Sequence, residues 1–239
     1  KKGSFTAKGV IFAGGVLGTV QLLLELQATS LPRLSGTVGH EIRTNSESLI
    51  GVTNPDKDID FTEGVAIGSI FHTDKWSHLE PVRYPPGSGF WRLLMAPLVH
   101  GKNICVRIWR AVKDFLSHPV QNLKVIFVRD WSKHTQILLY MRTLNSTLRL
   151  SKGRFRMKTS PEAEETPTPF MPEVKELASQ FAKITGGKPT MLSTEMLFGI
   201  PTTAHILGGA TMGPDSANGV IDKNHRVYGY ENMYICDGS

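Results

Sequence analysis

Cysteine is scarce: the 239 residues hold two, Cys105 and Cys236. A disulfide framework and a cysteine-rich zinc site are excluded at once. Long apolar runs are missing too. The best candidate, residues 16–26, carries Gln21 and Glu25 and falls short of the ~20 apolar residues that span a bilayer. Charge imbalance is small: 27 Lys+Arg against 21 Asp+Glu leave +6, which is mildly basic and no nucleic-acid footprint. The chain opens on Lys1-Lys2 with neither Met nor a targeting segment. Several catalytic signatures are also lacking: GxGxxG, the GxSxG elbow, the P-loop and HExxH. What is present is a globular composition, 40% hydrophobic and 20% charged, long enough for one large domain or two small ones.

Residues 8–13 (KGVIFA) form a β-branched and aromatic run stopped by Gly14-Gly15, and a leucine-dense stretch, 17–28, follows. Strand, glycine turn and helix make one βα unit. Such a turn lets a ligand approach the backbone, and the helix N-terminus favours an anion. An ordinary packing unit carries the same pattern. Residues 31–48 read as loop. Strands are expected at 49–52, 64–71, 79–84, 125–128, 135–143, 152–158, 220–222 and 233–236, while 90–98 suits strand or helix. Residues 54–60 (NPDKDID) have a calcium-loop composition but lack the Gly and terminal Glu of an EF-hand, so they read as a solvated turn. In 104–116, Ile104, Ile108, Trp109, Val112, Phe115 and Leu116 recur at helical spacing with Arg107, Arg110 and Lys113 between them. This is an amphipathic basic helix, either solvated on its basic face or bound to a membrane surface. Pro119 ends it. The polar stretch 160–168 (SPEAEETPT) is the best internal linker. Residues 172–184 form a helix, with Pro172 near its first turn and Gly186-Gly187 past its end.

Two places could carry chemistry. Residues 202–213 (TTAHILGGATMG) frame His205 with small residues and glycines. Histidine is the side chain best matched to proton transfer near neutral pH. Gly208, Gly209 and Gly213 would let the backbone come close to a planar ligand. Glu80 sits in an extended, largely apolar run before Pro81. It lies on a solvent face or lines a pocket, and in an apolar pocket a carboxylate becomes a base near neutral pH. His72 and His78 with Asp74 make a weak metal pattern, and His100 and His118 read as surface residues.

The block TTAHILGGATMG followed by GVIDKNHRVYGYENMYICDGS resembles the C-terminal signature of the glucose-methanol-choline (GMC) flavoprotein oxidoreductases. VIFAGGVLGTVQLLLE is similar to that family's strand–glycine–helix unit, and EGVAIGSIFHTDKWSHLEPVRYPPGSGFWRLLMAP is most similar to its cholesterol-oxidase branch. The resemblance implies an α/β (α+β mixed) fold. A partial FAD-binding domain (1–41 and 204–239) would bracket a substrate domain (42–203) with a mixed or antiparallel sheet and flanking helices. It implies FAD, a sterol or other alcohol substrate, oxygen or another electron acceptor, no nucleic acid, and possible peripheral membrane contact. His205 matches the active-site histidine that bonds the substrate hydroxyl. Glu80 falls where the sterol branch has the glutamate that moves a proton during Δ5-to-Δ4 isomerisation. Gly14 and Gly15 match backbone near the flavin, and Asp237 and Gly238 match an Asp-Gly pair that contacts it. Ala204 departs from the aromatic residue found before the histidine in bacterial cholesterol oxidases. The family's GxGxxG strand would precede Lys1 and its Asn-Pro segment would follow Ser239, which makes the chain resemble a C-terminal fragment. A GMC dehydrogenase of a non-sterol alcohol and a non-catalytic lipid-surface module are the alternatives.

Overall fold

The computed structural model describes residues 3–55, 58–163, 165 and 167–239. The opening lysines, Asp56 and Lys57 of the 54–60 turn, and Glu164 and Thr166 of the 160–168 linker lie outside the described residues. In chain order the first half holds β1 (Val10–Phe12), α1 (Gly15–Gln27), β2 (Arg43–Thr44), β3 (Ser48–Thr53), β4 (Phe71–His72), β5 (Ser77–Val82), β6 (Met95–Pro97), α2 (Ile104–Ser117) and α3 (Pro119–Ile126). Then come α4 (Trp131–His134), β7 (Thr135–Arg142), β8 (Leu148–Ser151), β9 (Lys158–Pro161), α5 (Pro172–Thr185), β10 (Lys188–Leu192), α6 (Ser193–Phe198), β11 (Ile206–Leu207) and β12 (Met233–Ile235). The chain is mixed α/β, as expected, and divides into two compact units.

The first unit comprises Lys1–Thr44, Asn145–Thr166 and Ala204–Ser239. Here β1 runs parallel to β12, with Val10 opposite Met233 and Phe12 opposite Ile235. Val16, Val20, Leu23 and Leu24 of α1 are buried, the spacing of one helical face. They pack with Leu34, Val38, Ile42, Leu150, Val220 and Ile235. The hairpin of β8 and β9 joins this unit because Leu150 enters its core and donates its N–H to Gly39 O at 2.8 Å. That approach requires glycine. Gly39 has φ +85°, and a Cβ there would stand 2.1 Å from the Leu150 carbonyl oxygen. This segment, Asn145–Thr166, lies within the expected substrate domain 42–203 but belongs to the first compact unit.

The second unit comprises Asn45–Leu144 and Pro167–Thr203. Its sheet has the order β4-β5-β7-β3-β10-β6, antiparallel throughout. Both faces of the central strands are covered, which is why β7 reads as an apolar run rather than an alternation. On one face Ile50, Val52, Leu138 and Tyr140 meet Val174, Ala178 and Ala182 of α5. That helix starts on Pro172 and stops at Gly186 in the left-handed region, φ 69°. On the other face Ile137 packs with Val128 and Trp131, and Leu49, Val82, Tyr84 and Trp91 close over them.

Several local expectations fail for identifiable reasons. Of 64–71 only Phe71 enters a strand; Gly64, at φ +104°, and Gly68 instead wrap the Arg83 side chain. Residues 125–128 are not a strand: Val125 and Ile126 close α3, which Pro119 starts as well as ending α2. Of 152–158 only Lys158 enters a strand; residues 152–157 are the turn between β8 and β9, where a Cβ on Gly153 would fall 2.2 Å from Arg156 O. Residues 31–48, expected as loop, include β2, and 220–222 make only isolated bridges. Residues 90–98 form a 3-10 turn over Gly89–Leu94 and then β6. The helix α2 is set with its apolar side outward: Trp109 is 61% and Leu116 72% exposed, while its buried side chain is Arg107. The Arg107 guanidinium donates to the carbonyls of Gly101, Met196 and Leu197. His100, expected at the surface, is half-buried. It packs edge-on against Phe170 at 5.4 Å, and burial, with Lys175 and Arg110 nearby, pushes its pKa down to about 4.

Ile50 is 1% exposed at the centre of the α5 face. Ile50→Ala should therefore cost about 2–5 kcal/mol, read as a lower urea midpoint at unchanged slope.

Candidate active site

In the second unit, Glu80 lies mid-strand on β5, opposite Leu139 of β7, which is in turn opposite Leu49 of β3. Cross-strand partners share a face, so Glu80 stands on the side of Leu49, Leu139, Val82 and Ile137, away from α5. Tyr84, stacked on Trp91 at 5.6 Å and on Trp131 at 6.4 Å, belongs to the same side. The Glu80 side chain is 17% exposed, and its Oε1 lies 3.6 Å from His78 Nε2. An aliphatic and aromatic surface carrying a shielded carboxylate can receive a large apolar molecule and move a proton on it. The His72–His78 pair, 5.9 Å apart, holds no metal geometry with Asp74: that carboxylate is used by Ser77 Oγ and the Trp76 amide in the β4–β5 turn. Among the described residues no cluster of three or more ligating side chains could hold a metal ion.

In the first unit, His205 is exposed, immediately before β11. Its glycines do something other than expected. Gly208 has φ +93° and presses on Glu41, where a Cβ would meet the carbonyl oxygen at 2.2 Å. Gly209 packs on Val20 and Ile42, and Gly213 on Asn218 and Gly219. Their missing side chains admit protein, not a ligand, and so fix the backbone that follows His205. Gly208 N–H donates to Gly238 O at 2.9 Å, and Ala210 N–H to Ser239 O at 2.7 Å. The His205 strand and the chain's last residues are thus tied together.

Gly14, Gly15, Asp237 and Gly238 meet at the N-terminus of α1. Gly14 is its N-cap, without a side-chain cap and with no acid in the first turn. Thr19, 2% exposed, accepts from Gly14 N–H at 3.0 Å and donates to Asp237 Oδ2. Burial works to raise the Asp237 carboxyl. Bonds from the Ser239 and Thr19 hydroxyls and the Ser239 and Gly15 amides outweigh it and hold the group below its usual range. Gly15 has φ +71°, and a Cβ there would meet nothing within 4 Å. That open backbone at a helix N-terminus suits a closely approaching anionic or planar cofactor.

Sequence reasoning missed Glu195. It is fully buried on α6, and Glu47, just before β3, is buried too. Burial first, and then the Glu47 carboxylate, push the Glu195 pKa up to about 7, against hydrogen bonds from Thr202. An acid inside the apolar run MLSTEMLFGI was the available signal.

With this geometry in view, the comparisons are specific. The GMC oxidoreductase family matches over residues 129–239. The chain is 34% identical over 242 residues to a cholesterol oxidase of Acinetobacter baumannii, which covers 99% of this chain and 43% of that protein. It is 35% identical over 254 residues to a cholesterol oxidase of Mycobacterium tuberculosis, with the same shares. The chain therefore spans under half the length of the curated relatives it matches.

The Thr19 hydroxyl joins two of the predicted site elements. Thr19→Val should cost about 1–3 kcal/mol by stranding Gly14 N–H and Asp237 Oδ2. Because the Asp237 carboxyl is depressed in the folded state, its contribution is present at neutral pH and fades as acid protonates it. The stability gap between Thr19→Val and the parent should accordingly narrow in acid, as denaturation followed against pH would show.

Proposed function

We propose, starting from the match of residues 129–239 to the GMC oxidoreductase family, that the complete protein uses FAD to oxidise a sterol-type secondary alcohol, 3-hydroxy to 3-keto, with Glu80 serving Δ5-to-Δ4 isomerisation. The observation that carries the reading is Glu80 itself, a shielded carboxylate on an aliphatic and aromatic sheet face. The names of the relatives point the same way.

His205 orients the substrate hydroxyl and receives its proton. The bonds at Gly208 and Ala210 keep that segment in place, so the imidazole is positioned before substrate arrives. Gly14, Gly15, Asp237 and Gly238 would hold the cofactor, the open face at Gly15 allowing close approach and the N-terminus of α1 favouring its negative parts. When bound, FAD supplies the acceptor for the carbinol hydride, and oxygen or another carrier then takes the electrons. Glu80 takes a proton from C4 of the enone precursor and returns it at C6. The carboxylate needs mobility for this, and no side-chain hydrogen bond tighter than the 3.6 Å approach of His78 restrains it among the described contacts.

The outward apolar side of α2 supports peripheral contact with an anionic lipid surface, the phase that carries sterols. Ile108, Trp109, Val112 and Leu116 are exposed there, with Arg110 and Lys113 on the same helix. No helix among the described residues is long and apolar enough to cross a membrane.

His205→Ala in the FAD-loaded protein should lower sterol oxidation by ~10²-fold or more; unchanged turnover would remove His205 from the mechanism. Glu80→Gln should spare oxidation and depress isomerisation, whereas equal loss of both contradicts its role. Turnover of small alcohols but not cholesterol would favour the non-sterol dehydrogenase. Trp109→Asp should weaken sedimentation with phosphatidylserine vesicles, and added salt should weaken it further. Equal binding by parent and variant would remove α2 from the contact.

A further inference from the structure

The edge of the second unit's sheet carries two histidines on the same face as Glu80. His78 stands two residues before Glu80 on β5, so both side chains leave the strand on one side. His72 of β4 is the register partner of His78 and shares that side. β4 is the outermost strand of the sheet. Shielding falls away along this row: the Glu80 side chain is 17% exposed, that of His78 30%, and His72 is exposed. His78 Nε2 lies 3.6 Å from Glu80 Oε1, and the two imidazole centroids are 5.9 Å apart with planes inclined at 56°. Asp74, in the turn between the strands, engages neither ring, because its carboxylate accepts from Ser77 Oγ and the Trp76 amide. Toward the sheet centre, His78 is opposite Met141 and Glu80 is opposite Leu139. Neither of those side chains carries a proton, so the groups that can carry one run outward only. Among the described residues no group of three ligating side chains could hold a metal ion, which leaves proton chemistry for this row.

We propose that His78 and His72 form a proton path between Glu80 and water. The path rests on the reading of Glu80 as the isomerisation carboxylate. In that reaction the C4–H bond breaks, its electron pair enters the dienolate, and the proton joins a Glu80 oxygen. The return step forms the C6–H bond and restores the carboxylate. While Glu80 holds the proton, its O–H can pass it to His78 Nε2. The imidazolium then releases the proton on its other nitrogen to water, chiefly across His72. The reverse sequence brings a solvent proton to Glu80, so nothing is gained or lost over a cycle. Imidazole suits this work because it accepts on one nitrogen while donating from the other. A contact of 3.6 Å is long for the transfer, and such contacts often tighten once substrate is bound. Isomerisation itself needs no exchange with water. The path instead lets a carboxylate shielded on an apolar face shed a stray proton and stand ready as a base for the next enone.

Isomerisation followed by itself provides the test. The complete protein is given the Δ5-3-ketone of cholesterol in D2O, and the product of a single turnover is read for deuterium at C6. In the parent, part of the product should carry solvent deuterium there. Glutamine leaves a polar neighbour beside Glu80 but cannot relay a proton. His78→Gln should therefore lower the deuterated share about fivefold or more, with a smaller change in isomerisation rate. His78→Leu should act alike, which keeps the test open if one variant does not fold. His72→Leu should give an intermediate loss, and no loss would strike His72 from the path. A merely structural His78 would move the rate and leave the share as it was. No deuterium at C6 in the parent, or an equal share in the parent and both His78 variants, would overturn the path while leaving Glu80 in its role. A parent that does not isomerise the enone, or a Glu80→Gln variant that isomerises it as fast as the parent, would overturn the Glu80 reading and the path with it.

Discussion

The pairing of β3 with β7 carries the second unit. Six consecutive residues of β3 face six of β7 in antiparallel register, and their side chains must be covered on both faces. On one side α5 does this with small residues, Ala178 and Ala182, that let the helix lie close to Ile50 and Tyr140. The other side is finished with aromatic rings and short turns instead of a long helix. Glu80 belongs to that second side. The register that buries Leu138 and Tyr140 under α5 is the same register that sets Glu80 opposite Leu139, and a one-residue slip would turn both faces inside out.

The first unit rests on a different constraint, the close approach of backbone to backbone. Gly39 against Leu150, Gly208 against Glu41 and Gly213 against Asn218 are contacts that a single Cβ would break. They draw together three stretches remote in sequence, and the N-terminus of α1, the strand after His205 and the last residues of the chain come to share hydrogen bonds. Three two-stranded pairs, β1–β12, β2–β11 and β8–β9, are enough here because the glycine contacts and the α1 core hold the chain between them.

Much of this was legible in the sequence. The βα unit at Gly14-Gly15, the helix from Pro172 to the Gly186 stop, and the extended run around Glu80 all carried local signals that tertiary structure left intact. The failures share a cause. Val125 and Ile126 have strand propensity, but Asn122 bonds back to the Asp114 and His118 carbonyls and favours a helix there. The glycines after His205 looked like room for a ligand, and only the fold shows what fills the room. Glu195 is fully buried on α6, and no window of local sequence reports that an acid there is closed off from water.

Arg107 shows how a helix can be oriented without burying its apolar stripe. Its guanidinium is fastened to three carbonyl oxygens and lies over the Phe170 ring at 5.0 Å, and this polar anchor sets the rotation of α2. The exposed Ile, Trp, Val and Leu positions are thereby relieved of any duty to the core. Substitutions there that change size or polarity should therefore alter the surface itself more than the packing of the unit beneath it.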